Sequence, residues 1–330
     1  MAPNSSTTGE SQVTKGRALV TGCAGFVGST LVEQLLAATD WEVIGLDSLT
    51  DYYSPELKRR NLETAQKSDR FSFVHADLNR IDLAGLVQSV DHVFHQAGQP
   101  GVRSSWGTEF DIYIDSNISA TQKLLEASRS AELKSFVYAS SSSIYGDARA
   151  YPTRETDVPS PLSPYGATKL AAEHLCSLYA ANFGVPTVSL RYFTVYGPRQ
   201  RPDMAFTRLV RSAIEGRPFD VYGDGSQIRE FTHVSDIVRA NILAATAGLP
   251  PGRVINLSGG SSVSLTEVID VVQSIHGSPL NLRYRDSLPG DVKRTGGSTE
   301  LAGKLLGWRP EIQLQEGLKS QYDWAMRSSN

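Results

Sequence analysis

Short apolar runs alternate with amphipathic segments through the first two thirds of the chain. Continuous apolar runs that alternate with helices are typical of a parallel sheet with helices on both faces. The pattern therefore predicts an α/β fold built on a doubly wound parallel sheet. The predicted strands cover residues 18–20, 41–46, 71–74, 92–95, 135–139 and 187–192, and the predicted helices cover residues 30–38, 55–66, 120–127 and 170–183.

The pattern loosens after Gly197 and Pro198, where Gly and Pro are more frequent and the elements are shorter. A chain of 330 residues is long enough for about two lobes. We expect a disordered tail over residues 1–15, a first domain over residues 16–197 that carries the sheet, and a smaller lobe over residues 198–330. Part of the last region, about residues 229–258, is expected to return to the first domain.

Composition and charge narrow the class of protein. The chain has 32 Lys and Arg against 35 Asp and Glu, which argues against nucleic acid or an anionic membrane as the main partner. Its two cysteines, Cys23 and Cys176, cannot form a disulfide framework and favour a reducing compartment. The start of the chain lacks a signal-peptide core, and no run of 18 apolar residues occurs. We therefore expect a cytoplasmic protein.

A glycine-rich turn follows the first predicted strand and leads into a helix. Gly22, Gly25 and Gly28 provide a tight turn, close approach of backbone N–H groups to a pyrophosphate, and close packing of helix on sheet. The helix N-terminus then favours the phosphate charge, so Phe26 and Val27 are also expected contacts. The motif predicts a Rossmann-type dinucleotide site.

Acidic residues follow the second and third predicted strands. Asp47 lies roughly 20 residues after the glycine turn, where an acidic residue binds the ribose 2′-hydroxyl and disfavours a 2′-phosphate, so the predicted cofactor is NAD. Asp77 is placed either to accept from the adenine amino group or to cap the next helix. The further expected cofactor contacts are Leu78, Gln96, Ala97, Lys169 and Tyr192.

Tyr165 and Lys169 are four residues apart on a predicted helix, so phenol and ammonium share one face. A nearby positive charge favours a phenolate, and we expect Lys169 to lower the pKa of Tyr165 towards that of a general base. A run of serines, Ser140 to Ser143, ends the fifth predicted strand at the edge of the sheet where ligands bind. Ser141, Ser142 and Ser143 are the candidates for a hydrogen bond to the substrate oxygen.

In combination, these motifs resemble the extended short-chain dehydrogenase/reductase family, over about residues 17–324. The resemblance implies that Tyr165 is the acid/base, that Lys169 contacts the nicotinamide ribose, and that Ser141 orients the substrate hydroxyl. The segments 138–145 (YASSSSIY) and 191–204 (RYFTVYGPRQRPDM) are most similar to the UDP-glucuronate 4-epimerase group of the family.

That resemblance implies a UDP-sugar substrate, with the sugar oxidised transiently to a 4-keto form and reduced again on its opposite face. Hydroxyls from the serine run and Thr194 are expected to hold the glucuronate carboxylate. Arg201 is expected to bind either the carboxylate or the diphosphate. The candidate substrate contacts are Arg103, Ser142, Ser143, Thr194, Arg201, Val221, Arg229 and Asp291.

Several alternatives remain open. Decarboxylases and 4,6-dehydratases of the family usually carry Glu at the position of Ser143, which disfavours both. A galactose-type 4-epimerase and, in a different class, a non-catalytic NAD-sensing protein are the other readings. The histidines show no metal-ligand grouping, so no metal is expected. Relatives often dimerise through two helices, here about residues 108–130 and 164–183, and we expect a homodimer.

Overall fold

The fold is described from a computed structural model, which defines residues 16–148, 150–259, 262–286 and 294–328. The predicted disordered tail, residues 1–15, lies outside the described residues.

The strands and helices follow in alternation along most of the chain. The strands are β1 Arg17–Thr21, β2 Glu42–Asp47, β3 Phe71–His75, β4 His92–His95, β5 Ser135–Ser141, β6 Thr187–Tyr192, β7 Val195–Tyr196, β8 Phe219–Tyr222, β9 Ile228–Glu230, β10 Thr232–His233, β11 Arg253–Leu257, β12 Ser262–Ser264 and β13 Leu282–Arg285. The α-helices are α1 Phe26–Ala38, α2 Pro55–Leu62, α3 Leu83–Gln88, α4 Phe110–Tyr113, α5 Ala120–Ser128, α6 Pro164–Phe183, α7 Ala205–Glu215, α8 Val234–Thr246, α9 Leu265–His276, α10 Glu300–Leu306 and α11 Leu314–Ser328. A π-helical segment, Ile114–Ser119, joins α4 to α5.

Seven parallel strands form the central sheet in the order β11-β6-β5-β4-β1-β2-β3. The order reverses beside β1, which places a crevice at the carboxyl ends of β1 and β4. The predicted doubly wound α/β fold is confirmed, and all six predicted strands are present. The seventh strand, β11, lies far along the chain and pairs with β6, with Ile255 beside Leu190.

Consecutive side chains of β1 enter hydrophobic cores on opposite faces of the sheet. Ala18 and Val20 belong to a core that includes residues of α1 and α8, whereas Leu19 belongs to a core with residues of α5 and α6. This alternation follows from the two-residue repeat of a strand and explains why β1 is apolar throughout. The sheet is therefore held rigidly from both sides beneath its carboxyl edge.

A third core lies in the C-terminal region. There Leu209 of α7, Val268 of α9 and Leu318 of α11 pack together beside the short pair of β8 and β13. Across the described residues, no helix combines the length and the apolar character needed to cross a bilayer.

Two helices near the predicted site begin earlier than the sequence pattern indicates. Helix α1 starts at Phe26, directly after Gly25, because the glycine turn leads into it without a connecting loop. Helix α6 starts at Pro164, because Ser163 accepts a hydrogen bond from the Gly166 N–H and proline is favourable in the first turn. Because the two helices begin earlier, Phe26 and Val27 lie in the first turn of α1, and Tyr165 lies in the first turn of α6.

Candidate active site

A cavity of about 680 Å³ lies along the carboxyl edge of the sheet. Its volume is in the range of sites that bind cofactors and other small molecules. The lining includes these predicted site residues: Gly22, Gly25, Phe26, Val27, Gly28, Asp47, Asp77, Leu78, Gln96, Ala97, Ser141, Tyr165, Lys169, Tyr192 and Arg201. Residues from the ends of six strands, β1 to β6, from the first turn of α1 and from α6 therefore meet in one cavity.

The glycine turn at the cavity leaves no room for side chains. Gly22 has a positive φ of 68°, and a Cβ atom on Gly28 would lie 2.0 Å from the Gly22 carbonyl oxygen. Gly25 provides no side-chain cap for α1, and the first turn of this helix contains no acidic residue. The uncapped N–H groups and the positive end of the helix therefore fit a diphosphate.

Asp47 ends β2 and is 8% exposed. One carboxylate oxygen accepts from the Ala24 N–H at 3.0 Å and the other from the Leu49 N–H at 2.8 Å. Each oxygen keeps acceptor capacity that a ribose hydroxyl can use. The arrangement fits the adenosine ribose of NAD, and its negative charge opposes a 2′-phosphate.

Asp77 also lines the cavity, but much of its carboxylate is already engaged. Its Oδ1 accepts from the Asn79 N–H at 2.8 Å, and its Oδ2 lies 3.6 Å from Nε of Arg80. The alternative prediction, that Asp77 caps the next helix, is wrong, because the N-cap of α3 is Asp82.

The ends of β4 and β6 are joined by a polar cluster in the cavity wall. Gln96 Nε2 donates to Asn241 Oδ1 at 3.0 Å, and the Tyr192 hydroxyl contacts both side chains at 3.0–3.1 Å. The Ala97 N–H donates to Thr21 Oγ1. Asn241 was missed by the sequence analysis, because it lies on α8, 145 residues from Gln96.

Tyr165 lies in the first turn of α6, with Ser141 near enough to act on its pKa. Burial raises the pKa of Tyr165, and this effect outweighs the lowering by Ser141 and by the Arg201 charge. The predicted lowering of the Tyr165 pKa by Lys169 is therefore wrong, because burial dominates and Lys169 is not among the groups that act on this pKa. The cation that favours the phenolate here is Arg201.

Lys169 lies one helical turn further along α6, with its ammonium 4.4 Å from the centre of the Tyr138 ring. Burial lowers the pKa of Lys169 to about 7, against opposing effects of Cys176 and Glu173. The ammonium is therefore close to the point of losing its charge at neutral pH, and the neighbours that stabilise the charge matter for its role.

Arg201 enters the cavity from the segment after β7. Its Nε and one terminal nitrogen bind the two oxygens of Asp203 at 3.0 and 2.9 Å. The guanidinium also lies 5.8 Å from the centre of the Tyr52 ring. This bidentate contact with Asp203 fixes the orientation of the Arg201 guanidinium, whose charge acts on Tyr165.

The four serines of the run, Ser140 to Ser143, make different contacts. Ser141 acts on the pKa of Tyr165 and accepts a hydrogen bond from the Ser143 N–H. Ser140 points to the other side and donates to Glu173 Oε2 at 2.6 Å. Ser142 and Ser143 begin a short 3₁₀ turn, are half-buried, and are not part of the cavity lining.

The other predicted substrate contacts also lie outside the lining of this cavity. Arg103 is exposed, with its guanidinium 5.5 Å from the centre of the Tyr222 ring, and Thr194 is half-buried. Val221 is 1% exposed within the C-terminal core, and Arg229 is half-buried and donates to the Ile228 carbonyl. Asp291 lies outside the described residues.

Further lining residues were missed by the sequence analysis. Lys58 of α2 donates to the Thr50 carbonyl and hydroxyl at 2.7 and 2.9 Å and so fixes the turn after β2. Asn117 of the π-helical segment binds both backbone groups of Gln99. Neither carries a motif, because Lys58 lies in a basic run typical of an exposed helix face and a π-helix has no distinctive spacing.

Nothing in the described ranges groups three or more His, Cys, Asp or Glu side chains as a metal site would require. His95 is buried between the hydroxyls of Thr21 and Thr121, at 2.8 and 2.9 Å. His92 stacks on Trp41 with ring centres 4.2 Å apart.

The fold and this cavity define a nucleotide-dependent enzyme of the short-chain dehydrogenase/reductase class. More specifically, the chain belongs to the NAD-dependent epimerase/dehydratase family, whose sequence profile matches residues 18–258. The predicted membership of this family is confirmed, and so is the prediction that the cofactor is NAD.

Curated relatives and solved structures agree with this membership. A Bacillus subtilis (strain 168) protein named as an uncharacterised UDP-glucose epimerase is 43% identical, over 92% of this chain and 96% of that protein. A UDP-glucuronate 4-epimerase of Thermodesulfobacterium geofontis is 38% identical, over 94% of this chain and 96% of that protein. The crystal structure of a Bacillus cereus UDP-glucuronic acid 4-epimerase with UDP-glucuronic acid and NAD has a TM-score of 0.91 and 41% identity, over 94% of this chain and 99% of that chain.

Proposed function

We propose that this protein is an NAD-dependent 4-epimerase of UDP-sugars that converts UDP-glucuronate to UDP-galacturonate. The observation that carries the proposal is the convergence of Ser141 and Arg201 on Tyr165 within the cavity. A proton-transfer group, a hydroxyl partner and a cation for an anionic substrate thus occupy one place. The activities named for the relatives, including the Bacillus cereus enzyme crystallised with UDP-glucuronic acid, support the same reaction.

The cavity fits NAD, which when bound accepts a hydride from C4 of the sugar and returns it. Tyr165, as the phenolate, takes the proton of the 4-hydroxyl and gives it back after the sugar has turned over. Ser141 holds the hydroxyl oxygen in line with Tyr165. Lys169, in its charged form, would hold the nicotinamide ribose, and Arg201 is the cation that favours the phenolate. Net redox change is zero, so the cofactor stays in place.

A glucuronate substrate demands control of its carboxylate, because the 4-keto form is a β-keto acid that can lose carbon dioxide. Loss is fastest when the carboxylate bond is perpendicular to the ketone plane. Asp203 engages Nε and one terminal nitrogen of Arg201, and we propose that the other terminal nitrogen binds the substrate. We assign Arg201, which lines the cavity, to holding the carboxylate out of that alignment. Thr194, Ser142 and Ser143 lie outside the cavity lining, and their proposed contact with the carboxylate rests on the family resemblance alone.

In this proposal, residues 16–197 bind NAD, and residues 198–330 mainly bind the UDP-sugar. Arg103 of the first region and Arg229 and Asp291 of the second are the proposed side-chain contacts, and Val221, buried in the C-terminal core, offers only its backbone. Residues of about 229–258 return to the first domain, in agreement with the position of β11 in the sheet and of α8 beside α1.

We also propose a homodimer that forms through the exposed face of α6. Leu178 and Phe183 on this helix are 56% and 48% exposed, and burying them against a second copy would favour association. Light scattering of the purified protein tests this, with a mass of one chain as the contrary result.

The proposed reaction is tested by incubating the protein with UDP-glucuronate, UDP-glucose and UDP-xylose separately and identifying the products by NMR. We expect UDP-galacturonate from the first sugar, at the highest rate. Turnover of UDP-glucose without turnover of UDP-glucuronate would instead support a galactose-type epimerase, the activity named for the Bacillus subtilis relative.

A further inference from the structure

We propose that Glu173, a residue outside the cavity lining, is a positioning residue that holds the serine run and Lys169 in register with Tyr165. The inference rests on the proposed function for its activity readouts. It comes from a buried network behind the cavity that the proton-transfer steps do not use.

The carboxylate of Glu173 joins three elements of the fold. It lies on α6, its Oε2 accepts from Ser140 Oγ of β5 at 2.6 Å, and both of its oxygens bind Arg191 of β6, at 2.6 and 3.0 Å. The side chains of Glu173 and Arg191 are 3% and 5% exposed. A bidentate contact between buried groups is rigid, so Ser140 is held at a fixed point on the β5 end.

The position of Ser140 determines that of the next residue. Ser141 follows directly along the strand and lies near Tyr165, on the opposite side of the backbone. Alternate side chains of a strand face opposite ways, so a tether on Ser140 orients Ser141 towards the cavity. Arg191 is held in turn by the Tyr145 hydroxyl at 2.6 Å, which prevents the carboxylate from swinging away.

Glu173 also lies one helical turn after Lys169, on the same helix face. The other groups that act on Lys169 or feel its charge are Cys176 of α6, Tyr138 of β5 and His95 of β4. Among them Glu173 is the carboxylate, and its charge keeps the pKa of Lys169 higher than burial alone would allow. Glu173 thus acts on Ser141, through the tether on Ser140, and on the charge of Lys169.

Two variants separate these effects. Glu173→Gln keeps an acceptor for Ser140 but removes the charge, so we expect the alkaline limb of the kcat–pH profile to move to lower pH by about one unit. Ser140→Ala keeps the charge, so we expect a kcat about tenfold lower with an unmoved profile and an unchanged KM. Glu215→Gln, on the exposed end of α7, is the control and should change neither quantity.

Removing the charge of Glu173 leaves Arg191 unpaired in the interior and can prevent folding. In that case the double variant Glu173→Gln/Arg191→Met avoids the unpaired buried charge. It also removes a positive charge, so its alkaline limb should move less than that of Glu173→Gln, while the lost tether on Ser140 should still lower kcat. The pH dependence of NAD binding is measured by calorimetry beside turnover, since it does not depend on the sugar substrate. It therefore tests Glu173 even if the protein does not act on UDP-glucuronate.

The proposal is supported if the Glu173 variants shift both the kcat–pH profile and the pH profile of NAD binding, while Ser140→Ala reduces only kcat. Folded Glu173 variants with wild-type kcat and wild-type pH profiles overturn it. Variants that lose thermal stability while both profiles stay unmoved also overturn it, because they reduce Glu173 to a structural role.

Discussion

The ammonium of Lys169 lies 4.4 Å from the centre of the Tyr138 ring, and both side chains are buried. A cation over an aromatic face is stabilised by the ring, by about 2 kcal/mol where water is excluded. The Tyr138 hydroxyl has no hydrogen-bond partner among the described residues. The ring, rather than its hydroxyl, is therefore the part of Tyr138 that supports Lys169.

This relationship predicts opposite results for two substitutions. Tyr138→Phe retains the ring and removes an unpartnered hydroxyl, so kcat should be unchanged and the melting temperature equal or higher. Tyr138→Leu removes the ring and should lower kcat at least tenfold at pH 7.5, because Lys169 loses charge there. Steady-state kinetics and thermal melting of both proteins check this. Equal activity in the two variants would show that the ring contact does not support the lysine charge.

The second prediction concerns the cofactor. Asp47→Ala should weaken NAD binding by about 1–3 kcal/mol, because the ribose hydroxyls lose a charged acceptor. Binding of NADP should be weak in the wild-type protein and should improve relative to NAD in the variant. Calorimetric titration with both cofactors measures this. Equal or tighter binding of NADP by the wild-type protein would contradict the role of Asp47.

The third prediction concerns proton transfer. Tyr165→Phe should lower kcat by about 10²–10⁴-fold and leave NAD bound, since it removes only the acid/base group. The matched control is Tyr113→Phe, whose ring centre lies 6.4 Å from that of Tyr165 but whose hydroxyl contacts Ser104 and backbone carbonyls. Near-normal turnover by a folded Tyr165→Phe protein would remove Tyr165 from the mechanism.

The fourth prediction concerns stability in acid. Burial lowers the pKa of His92 to about 4 and that of His95 to about 3, so both are neutral in the folded protein. The unfolded chain takes up these protons first, near pH 6.5, so stability falls as pH falls below 6.5 and continues to fall towards pH 3–4. At pH 5 the loss is about 2 kcal/mol for each histidine. Urea unfolding at pH 7.5 and pH 5 measures it, and equal stability at the two pH values would contradict it.

The sequence was sufficient to predict the sheet and the cofactor end of the site, because both depend on local signals. An apolar strand followed by a glycine turn has few alternative structures, and Asp47 has a fixed place relative to that turn. The environment of Tyr165 was not predictable in the same way. Its pKa depends on burial and on Arg201, which lies 36 positions away in the sequence, whereas the adjacent Lys169 was expected to dominate.

The fate of the hydrogen on C4 tests the central claim most directly. UDP-glucuronate labelled with deuterium at C4 is incubated with the protein in ordinary water, and the products are examined by NMR. We predict UDP-galacturonate that keeps the deuterium at C4, with almost no UDP-pentose, because the same hydride returns to the other face of the sugar. Loss of the label to solvent, or a product that is mainly UDP-pentose, would contradict the proposed epimerisation.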